Sequence, residues 1–432
     1  MKPDTFSFFI KTIGCQMNSY DAEVYRVYLL SLGLKESFNL READLVIINT
    51  CAVRQKSVDK ARNLALQLSY LKRRKKLALC LTGCAATLED FSALKTDSHI
   101  DYEHGPLNSM EVPDDFVSFV STFFSHQTLD SDLRILPDIN GFSAQLPVIH
   151  GCNSFCSYCI VPLVRGRECS VPTNLLLEKV REGCANGIKE WVLLGQNVNH
   201  YGLDLNPQVS FAELLDATAS IPGVMRLDFI TSHPKEFDFK ILDVMVKHPN
   251  IYQHFHLPVQ SGDNEILSRM KRGYTVEHYL HIIEEIRKYF PLSSLTTDII
   301  VGFPGENENS FSKTLKLVEK TGFDTVYGAV YSHRPGTLSS TFPDLLDEDL
   351  SKERLNRLLD VQRTSSHERI KRFLNTNNEV MILKKINDHS YLAKTLEEKT
   401  MLLSSDMDLK PGTILWATIN SLEDGQLKGV LK

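Results

Sequence analysis

The first eighty or so residues alternate short apolar runs with segments whose apolar side chains recur at helical spacing. The apolar runs Phe6–Lys11, 45–49 and 77–81 are typical of short buried strands. Between them, one helix is predicted to begin at Asn18 or Ser19 and to end at Gly33, and a second spans 58–71. Strands that alternate with helices predict an α/β fold with a doubly wound parallel sheet.

The pattern changes after residue 86 and becomes regular again near residue 148. Residues 86–140 show weak periodicity, and we interpret them as the end of the first domain followed by a linker. Because six βα units fall short of the eight of a closed barrel, we predict a partial (β/α)6 barrel that works at the carboxyl ends of its strands. The six strand candidates centre near Val148, Val192, Leu227, Phe255, Ile299 and Val326.

The last sixty residues read as a small all-β module. Its short strand candidates are 380–383, 391–394, 401–403 and 414–419, and turn-forming pairs lie between them. The chain is therefore predicted to contain three domains, at 1–125, 138–370 and 371–432.

Composition and charge exclude some classes of protein. The 432 residues include 48 Lys and Arg against 54 Asp and Glu, and this mild net charge of -6 neither indicates nor excludes a nucleic-acid partner. The apolar runs are far shorter than the roughly 18 residues of a membrane span, and the N-terminus lacks the apolar core of a secretory signal. We therefore expect a cytoplasmic protein without membrane partners, whose nine cysteines are ligands, catalysts or buried side chains rather than disulfides.

Three cysteines each follow one of the predicted N-terminal strands. They are Cys15, Cys51 and Cys84, and glycines precede the first and the third. Because the carboxyl ends of neighbouring parallel strands share one edge of a sheet, we expect the three thiols to be neighbours in space. Three thiolates suit zinc with a fourth ligand, or an iron–sulfur cluster with one iron open, and the spacing alone does not separate the two.

A second group of cysteines lies just after the first strand of the predicted barrel. Cys152, Cys156 and Cys159 form a CxxxCxxC pattern within eight residues. Three such thiolates can hold one face of a cubane cluster and leave its fourth iron open to an external ligand. A zinc knuckle that lacks its fourth ligand is the alternative interpretation.

The second cysteine pattern, with Tyr158 before its last cysteine, resembles the radical S-adenosylmethionine (radical-SAM) superfamily. Longer motifs across the chain resemble the methylthiotransferase family within it. These motifs are KTIGCQMNSYDAE, NTCAVRQKS, LTGC, GCNSFCSYCIVPLVRGRE, VLLGQNVNHYG, TSHPKEF, HLPVQSGDNEIL, DIIVGFPGE and YSHRPGT. The resemblance covers the N-terminal domain and the barrel nearly end to end.

The resemblance implies two [4Fe-4S] clusters, one on each cysteine trio, with SAM on the open iron of the second. It also implies that the cofactors carry the chemistry, so that no side chain is assigned a catalytic role. Tyr158, Gln196 and Asn197 are the expected cofactor contacts. Arg165, Arg167 and Asn197 are candidate contacts to a substrate base, and surface salt bridges or loop hydrogen bonds are the alternative interpretation of these three residues. A C-terminal RNA-binding TRAM module is implied as well, although this chain has Ala393-Lys394-Thr395 where a Gly-Arg-Thr run is common.

The branch that the sequence resembles acts on tRNA. Gln16-Met17-Asn18 after Cys15 looks like the branch that adds a methylthio group to carbon 2 of N6-dimethylallyladenosine next to the anticodon. This unactivated C–H bond calls for radical chemistry, and the resemblance implies a 5′-deoxyadenosyl radical from SAM, then sulfur and a methyl group. The expected partner is tRNA, the electron donor and sulfur source are unidentified, and we expect a monomer.

Two alternatives remain at this point. The same chemistry is found in relatives that modify threonylcarbamoyladenosine in tRNA or an aspartate of a ribosomal protein. A more distant alternative is a non-catalytic RNA-binding protein stabilised by zinc. The basic segment 72–76 fits either a phosphate-binding surface or a solvated helix end.

Overall fold

A computed structural model describes residues 6–91, 99–124 and 141–432, which fall into two compact units. The N-terminal unit contains the described residues up to 124 together with His150–Asn153 and Cys159–Cys169. The C-terminal unit contains residues 141–149, Ser154–Tyr158 and Ser170–Lys432. The short strands β7 (Ile149–His150) and β8 (Cys169–Ser170) lie where the chain passes from one unit to the other.

The N-terminal unit is built on a five-stranded parallel sheet, as the alternating pattern predicts. Its strand order is β2-β1-β3-β4-β5. Helix α2 packs its buried Val58, Ala61 and Leu68 in one apolar core with residues of β3 and β4. The elements are β1 (Ser7–Ile13), α1 (Gln16–Ser31), β2 (Lys35–Glu36), β3 (Leu45–Thr50), α2 (Gln55–Lys72), β4 (Ala78–Thr82), β5 (Tyr102–His104) and α3 (Asp114–Phe124).

One prediction for this unit is wrong in detail. Helix α1 begins at Gln16 rather than after Asn18, because Cys15 is its N-cap and Asn18 occupies its first turn. Within 86–124, the predicted end of the first domain, the structure contains a fifth strand and helix α3, which the sequence pattern does not predict; Phe116 of α3 packs edge-on against Tyr25 of α1. Residues 92–98 and 125–140, which include the predicted linker, lie outside the described residues.

The C-terminal unit begins with six parallel strands, in agreement with the predicted partial barrel. They form two three-stranded sheets, β6-β9-β10 and β11-β12-β13, and one bridge between Leu227 and Ile251 connects β10 to the residues before β11. The strands are β6 (Ser143–Pro147), β9 (Glu190–Leu194), β10 (Arg226–Ile230), β11 (His254–His256), β12 (Ser294–Val301) and β13 (Thr325–Val330).

Helices follow these strands along the chain. Where the structure describes the chain, none of its helices combines the length and apolar character that a membrane crossing requires. The helices are α4 (Val161–Val164) in the N-terminal unit, and α5 (Thr173–Ala185), α6 (Phe211–Ala219), α7 (Lys240–Lys247), α8 (Asn264–Arg269), α9 (Val276–Tyr289), α10 (Glu308–Thr321) and α11 (Glu348–Ile370) in the other unit.

The chain ends in a closed five-stranded barrel with the strand order β14-β15-β16-β18-β17. The sequence predicts four of the five strands and misses β18, whose Gln426–Leu431 segment follows β17 after a tight turn at Asp424-Gly425. Its core contains Tyr391, Met401 and Ile419. The strands are β14 (Thr376–Asn387), β15 (Ser390–Thr395), β16 (Thr400–Ser404), β17 (Ile414–Glu423) and β18.

Buried ion pairs attach this small barrel to the parallel strands of the same unit. The Lys394 ammonium lies 2.8 Å from Glu190 at the start of β9 and 2.9 Å from Glu398, and it stands over the ring of Tyr252. His254 lies 3.2 Å from Glu398 and 3.8 Å from Asp228. The Ala393-Lys394-Thr395 segment is therefore engaged within the protein, and the Lys394 charge is compensated there.

Candidate functional site: two cysteine centres

The first cysteine trio lies at the carboxyl edge of the N-terminal sheet. Cys15 follows β1, Cys51 follows β3 directly, and Cys84 follows β4 after Gly83. In the order β2-β1-β3-β4-β5 the direction of winding reverses between β1 and β3, and ligands of such sheets bind in the crevice at that reversal. The topology thus brings together the three cysteines that the sequence predicts to be neighbours.

At this edge two glycines allow the loops to approach each other closely, and one asparagine connects them by hydrogen bonds. A Cβ on Gly14 would lie 2.4 Å from Oδ1 of Asn18. Gly83 has φ +88, a backbone conformation that favours glycine, and a Cβ there would collide with Asn49. The Asn18 Oδ1 atom accepts a hydrogen bond from the Cys15 amide at 3.3 Å, while its Nδ2 donates to Asn49 Oδ1 at 2.8 Å. Asn18 therefore ties the loop of Cys15 to the end of β3.

The three thiols affect one another electrostatically. A hydrogen bond with the Cys51 thiol is the main reason that the pKa of Cys15 falls to about 5, and the same contact raises the pKa of Cys51. Burial raises the pKa of Cys84, and the Arg165 guanidinium opposes that rise. Cys15 is open to solvent, whereas Cys51 and Cys84 are buried. One cysteine of the trio therefore deprotonates readily, and a bound metal ion or cluster is needed to keep all three cysteines as thiolates.

Arg165, a candidate contact to a substrate base, is buried and contacts this trio. Arg165 Nε donates to the Cys84 sulfur at 3.1 Å, and Arg165 Nη2 donates to Asp21 Oδ2 at 3.0 Å. Both ends of the ion pair are almost completely buried. Within the part of the chain that the structure describes, Arg165 Nη1 and both ring nitrogens of buried His150 have no hydrogen-bond partner, so donors and acceptors are left in this part of the unit for a polar group.

The loop of the second trio passes through both units. Cys152 and Cys159 belong to the N-terminal unit, where the Cys152 amide donates to the carbonyl of Gly166 at 3.2 Å. Gly151 has φ +73, and a Cβ there would lie 2.1 Å from the carbonyl oxygen of Arg167, so only glycine fits before Cys152. The tight turn sets the direction in which the cysteine loop leaves β7.

Cys156 belongs to the C-terminal unit and also contacts a buried arginine. Arg272 Nη1 donates to the Cys156 sulfur at 3.3 Å, and Arg272 Nη2 donates to the carbonyl of Pro258 at 2.6 Å. Burial pushes the pKa of Cys156 up, but His233 and Arg272 beside it outweigh burial and bring the pKa down to about 7. The site therefore favours the thiolate that binding to iron requires. No sequence spacing relates Arg272 to the cysteines, so the sequence alone does not predict this contact.

The three expected cofactor contacts lie in the C-terminal unit. Tyr158 packs edge-on against Phe303, with the ring centroids 6.5 Å apart. Gln196 and Asn197 follow β9 at its carboxyl end, and the buried Asn197 accepts a hydrogen bond from the His233 amide. Gln196 Oε1 and Asn197 Nδ2 are buried and have no hydrogen-bond partner among the described residues, which is the state expected of groups that await a polar ligand.

Two other segments have structural roles. Glu306, from the GFPGE motif, is buried and accepts hydrogen bonds from the Gly302 amide and from Arg354 Nη1 at 2.7 Å. In the basic segment 72–76, Lys72 pairs with Asp101 at 2.6 Å, and Lys75 donates to the carbonyls of residues 41–43. These contacts favour the helix-end interpretation of Lys72 and Lys75.

Comparisons with known proteins agree with this arrangement. Residues 146–318 match the family described as the Radical SAM superfamily, and residues 7–105 match the family described as Uncharacterized protein family UPF0004. The solved structure of the radical S-adenosylmethionine methyltransferase TsrM from Kitasatospora setae, with cobalamin and a [4Fe-4S] cluster bound, has a TM-score of 0.54 at 13% identity. It covers 78% of this chain and 77% of that chain, which shows a shared fold.

Relatives with much higher identity cover nearly the whole chain. The tRNA-2-methylthio-N(6)-dimethylallyladenosine synthase of Natranaerobius thermophilus is 37% identical over 413 residues, or 93% of this chain and 92% of that protein. The enzyme of the same name from Geotalea uraniireducens is 37% identical over 433 residues, or 98% of both. This chain therefore belongs to the radical-SAM family of tRNA-2-methylthio-N(6)-dimethylallyladenosine synthases.

Proposed function

We propose that this protein adds a methylthio group to carbon 2 of N6-dimethylallyladenosine, next to the anticodon in tRNA. The observation that carries the proposal is the pair of cysteine trios on this fold, each with a buried arginine that donates to one of its sulfurs. The assignment of the substrate is supported by the names of its relatives, which match nearly the whole chain.

The residues present fit two [4Fe-4S] clusters. Cys15, Cys51 and Cys84 would hold one, because the fold gathers three thiols and a compensating cation at one sheet edge. The loop cysteines 152, 156 and 159 would hold the other, with SAM completing its coordination. When bound, these groups supply a carbon-centred radical from SAM, and sulfur for the product.

The chain's own residues would bind, orient and compensate charge. Arg272 and His233 lower the pKa of the Cys156 thiol to about 7, which favours its thiolate form. Gln196 and Asn197, whose buried amide atoms lack partners among the residues that the structure describes, would bind the polar part of SAM, and Tyr158 would pack beside it. Arg165 would not reach the base, because its guanidinium is engaged with Cys84 and Asp21.

Several further features belong to the same proposal. The chain would act in the cytoplasm as a monomer, on tRNA unstacked at its anticodon loop, with an electron donor and a sulfur source from outside. Its three functional parts would be an N-terminal methylthiotransferase domain at 1–125, the radical-SAM barrel at 138–370 and the TRAM-like barrel at 371–432. The engagement of Lys394 would reduce what the last domain contributes to RNA affinity.

The test is an anaerobic reaction of the reconstituted full-length protein. The mixture contains SAM, dithionite, sulfide and tRNA that carries N6-dimethylallyladenosine, and the digested nucleosides and 5′-deoxyadenosine are measured by mass spectrometry. A 2-methylthio product is expected. A parallel reaction with threonylcarbamoyladenosine tRNA is expected to give none, and a product there alone would reassign the substrate.

A matched pair of variants checks that the product depends on the proposed centre. Cys156→Ala is expected to abolish 5′-deoxyadenosine formation, whereas Cys169→Ala, an exposed cysteine outside both trios, should leave it unchanged. A colourless, iron-free protein after reconstitution, or equal activity in the two variants, would overturn the proposal.

A further inference from the structure

Each candidate cluster site contains a guanidinium that donates a hydrogen bond to a cysteine sulfur. At the first trio, Arg165 Nε lies 3.1 Å from the Cys84 sulfur. At the second, Arg272 Nη1 lies 3.3 Å from the Cys156 sulfur. Both arginines are 4% exposed, and arginine is seldom buried unless it compensates a charge. The same contact recurs on two unrelated loops, which points to a function shared by the two sites.

The first arginine is held in place by a carboxylate. Asp21 Oδ2 accepts from Arg165 Nη2 at 3.0 Å, and its side chain is 1% exposed. This contact leaves the Nε–H bond directed at Cys84, while Arg165 Nη1 has no hydrogen-bond partner in the described ranges 6–91, 99–124 and 141–432. A simple structural ion pair would use the fork of Arg165 on both carboxylate oxygens. Here the Nε–H group of Arg165 donates to the Cys84 sulfur instead.

The second arginine is held by neutral groups. Arg272 Nε donates to the Tyr274 hydroxyl at 3.1 Å and Nη2 to the carbonyl of Pro258 at 2.6 Å. In the described part of the chain no carboxylate forms an ion pair with Arg272, so its charge faces the Cys156 sulfur uncompensated. The two sites thus share the N–H to sulfur contact and differ in net charge.

Reduction adds one electron to a cluster, and that charge must be stabilised in a buried site. Hydrogen bonds to the sulfurs and the net charge nearby are two of the properties that set the potential of an iron–sulfur cluster. A cationic N–H donor stabilises the more negative, reduced form. We propose that Arg165 is the positioning residue that raises the reduction potential of the N-terminal cluster, with Asp21 orienting its guanidinium. The inference rests on the proposed function, since it requires a cluster on Cys15, Cys51 and Cys84.

The experiment measures the potential of one cluster at a time in the full-length protein. Replacing Cys152, Cys156 and Cys159 with alanine leaves only the N-terminal cluster, whose potential is followed by electron paramagnetic resonance during an anaerobic dithionite titration. In this background, Arg165→Gln is expected to make reduction at least tenfold less favourable, which is about 59 mV for a one-electron couple. Arg272→Gln is the matched control and should leave the potential unchanged.

The reverse background completes the test. With Cys15, Cys51 and Cys84 replaced, Arg272→Gln should lower the potential of the remaining cluster, and Arg165→Gln should not. If Arg165→Gln fails to load iron, Arg165→Lys keeps the charge and is expected to lower the potential less, because lysine cannot serve Cys84 and Asp21 with the same geometry.

The outcomes separate this inference from the proposed function. An unchanged potential in an iron-loaded Arg165→Gln or Arg165→Lys protein would overturn the role of Arg165 while leaving the cluster assignment intact. A protein in which neither background binds iron would instead overturn the proposed function itself. A merely structural role for Arg165 would change the melting temperature without moving the potential.

Discussion

Replacing Lys394 with methionine tests whether this lysine attaches the small barrel or awaits RNA. The ammonium lies 2.8 Å from Glu190 and 2.9 Å from Glu398, and the side chain is 14% exposed. Methionine keeps most of the side-chain volume but removes the charge and its contact with the Tyr252 ring. Two carboxylates at the junction of the small barrel and the parallel strands then lose their shared cation.

The magnitude follows from the burial of these groups. Removing one partner of a buried ion pair costs about 3–5 kcal/mol. The lower end applies here, because Glu190 keeps the hydrogen bond from the Tyr252 hydroxyl and Glu398 keeps the contact with His254. We expect a loss of about 3 kcal/mol, which moves the urea midpoint down by about 1 M for an m value near 3 kcal/mol/M.

The assay is urea unfolding followed by circular dichroism, with Lys384→Met as the control. Lys384 is an exposed lysine on β14, so its replacement should change stability by less than about 0.5 kcal/mol. Adding Glu190→Gln to Lys394→Met should recover part of the loss, because it removes an uncompensated charge. Equal midpoints for the two single lysine variants would refute the reasoning.

A second measurement in the same proteins addresses RNA directly. A lysine that neutralises one phosphate contributes about 0.7–0.9 to the slope of log affinity against log salt. Because Lys394 is already paired, its replacement should leave that slope for tRNA unchanged under conditions in which the variant is folded. A slope that decreases by about this amount would show that Lys394 leaves its partners to bind RNA.

Three further outcomes are expected. The Gly83→Ala variant should bind about four fewer iron atoms per chain than the unmodified protein in iron analysis, because at φ +88 a Cβ would lie only 2.6 Å from Asn49 Oδ1. The control Gly425→Ala, at φ +75 with no atom of the described residues within 4 Å, should bind as much iron as the unmodified protein. Cys51→Ala should still form 5′-deoxyadenosine in the SAM assay without making the methylthio product; loss of both would contradict the division between the two centres. Burial raises the pKa of Asp228 to about 6, so between about pH 4 and 6 the folded protein binds a proton that the unfolded chain releases. The free energy of unfolding of the unmodified protein therefore falls as pH rises through this range. The Asp228→Asn variant should show a flatter pH dependence there. Parallel pH curves of the unfolding midpoint for the two proteins would contradict that assignment.

The sequence predicts the features that depend on alternating strand and helix patterns and the residues that follow the ends of strands. The cysteines at 15, 51 and 84 could be selected because parallel topology gathers the ends of successive strands at one edge, and that reasoning needs no side-chain contacts. The α/β architecture was predictable for the same reason, since it depends on alternating patterns. Strand β5 was missed because three residues with Glu103 at their centre carry no apolar signal, and its place is set by pairing with β4.

The contacts that tune the sites could not be predicted in this way. Arg165 looks like one of two arginines in a polar loop, and only the folded unit buries it against Cys84 and Asp21. Arg272 and Lys394 find their partners through tertiary packing, at sequence separations for which no periodicity exists. Buried charge is a property of the assembled structure, and one sequence shows only that the charge is present.

The two cysteine trios differ in how much of the protein must exist before iron can bind. The loop trio lies within eight residues, so a newly made chain presents all three thiols as soon as that short segment leaves the ribosome. The other trio comes from the ends of three different strands and has no meeting point until β1, β3 and β4 have paired. Cluster delivery at the sheet edge must therefore wait for folding of the N-terminal unit, while delivery at the loop need not. During biosynthesis, iron limitation or an interrupted folding reaction would leave molecules that differ in which of their two centres is filled.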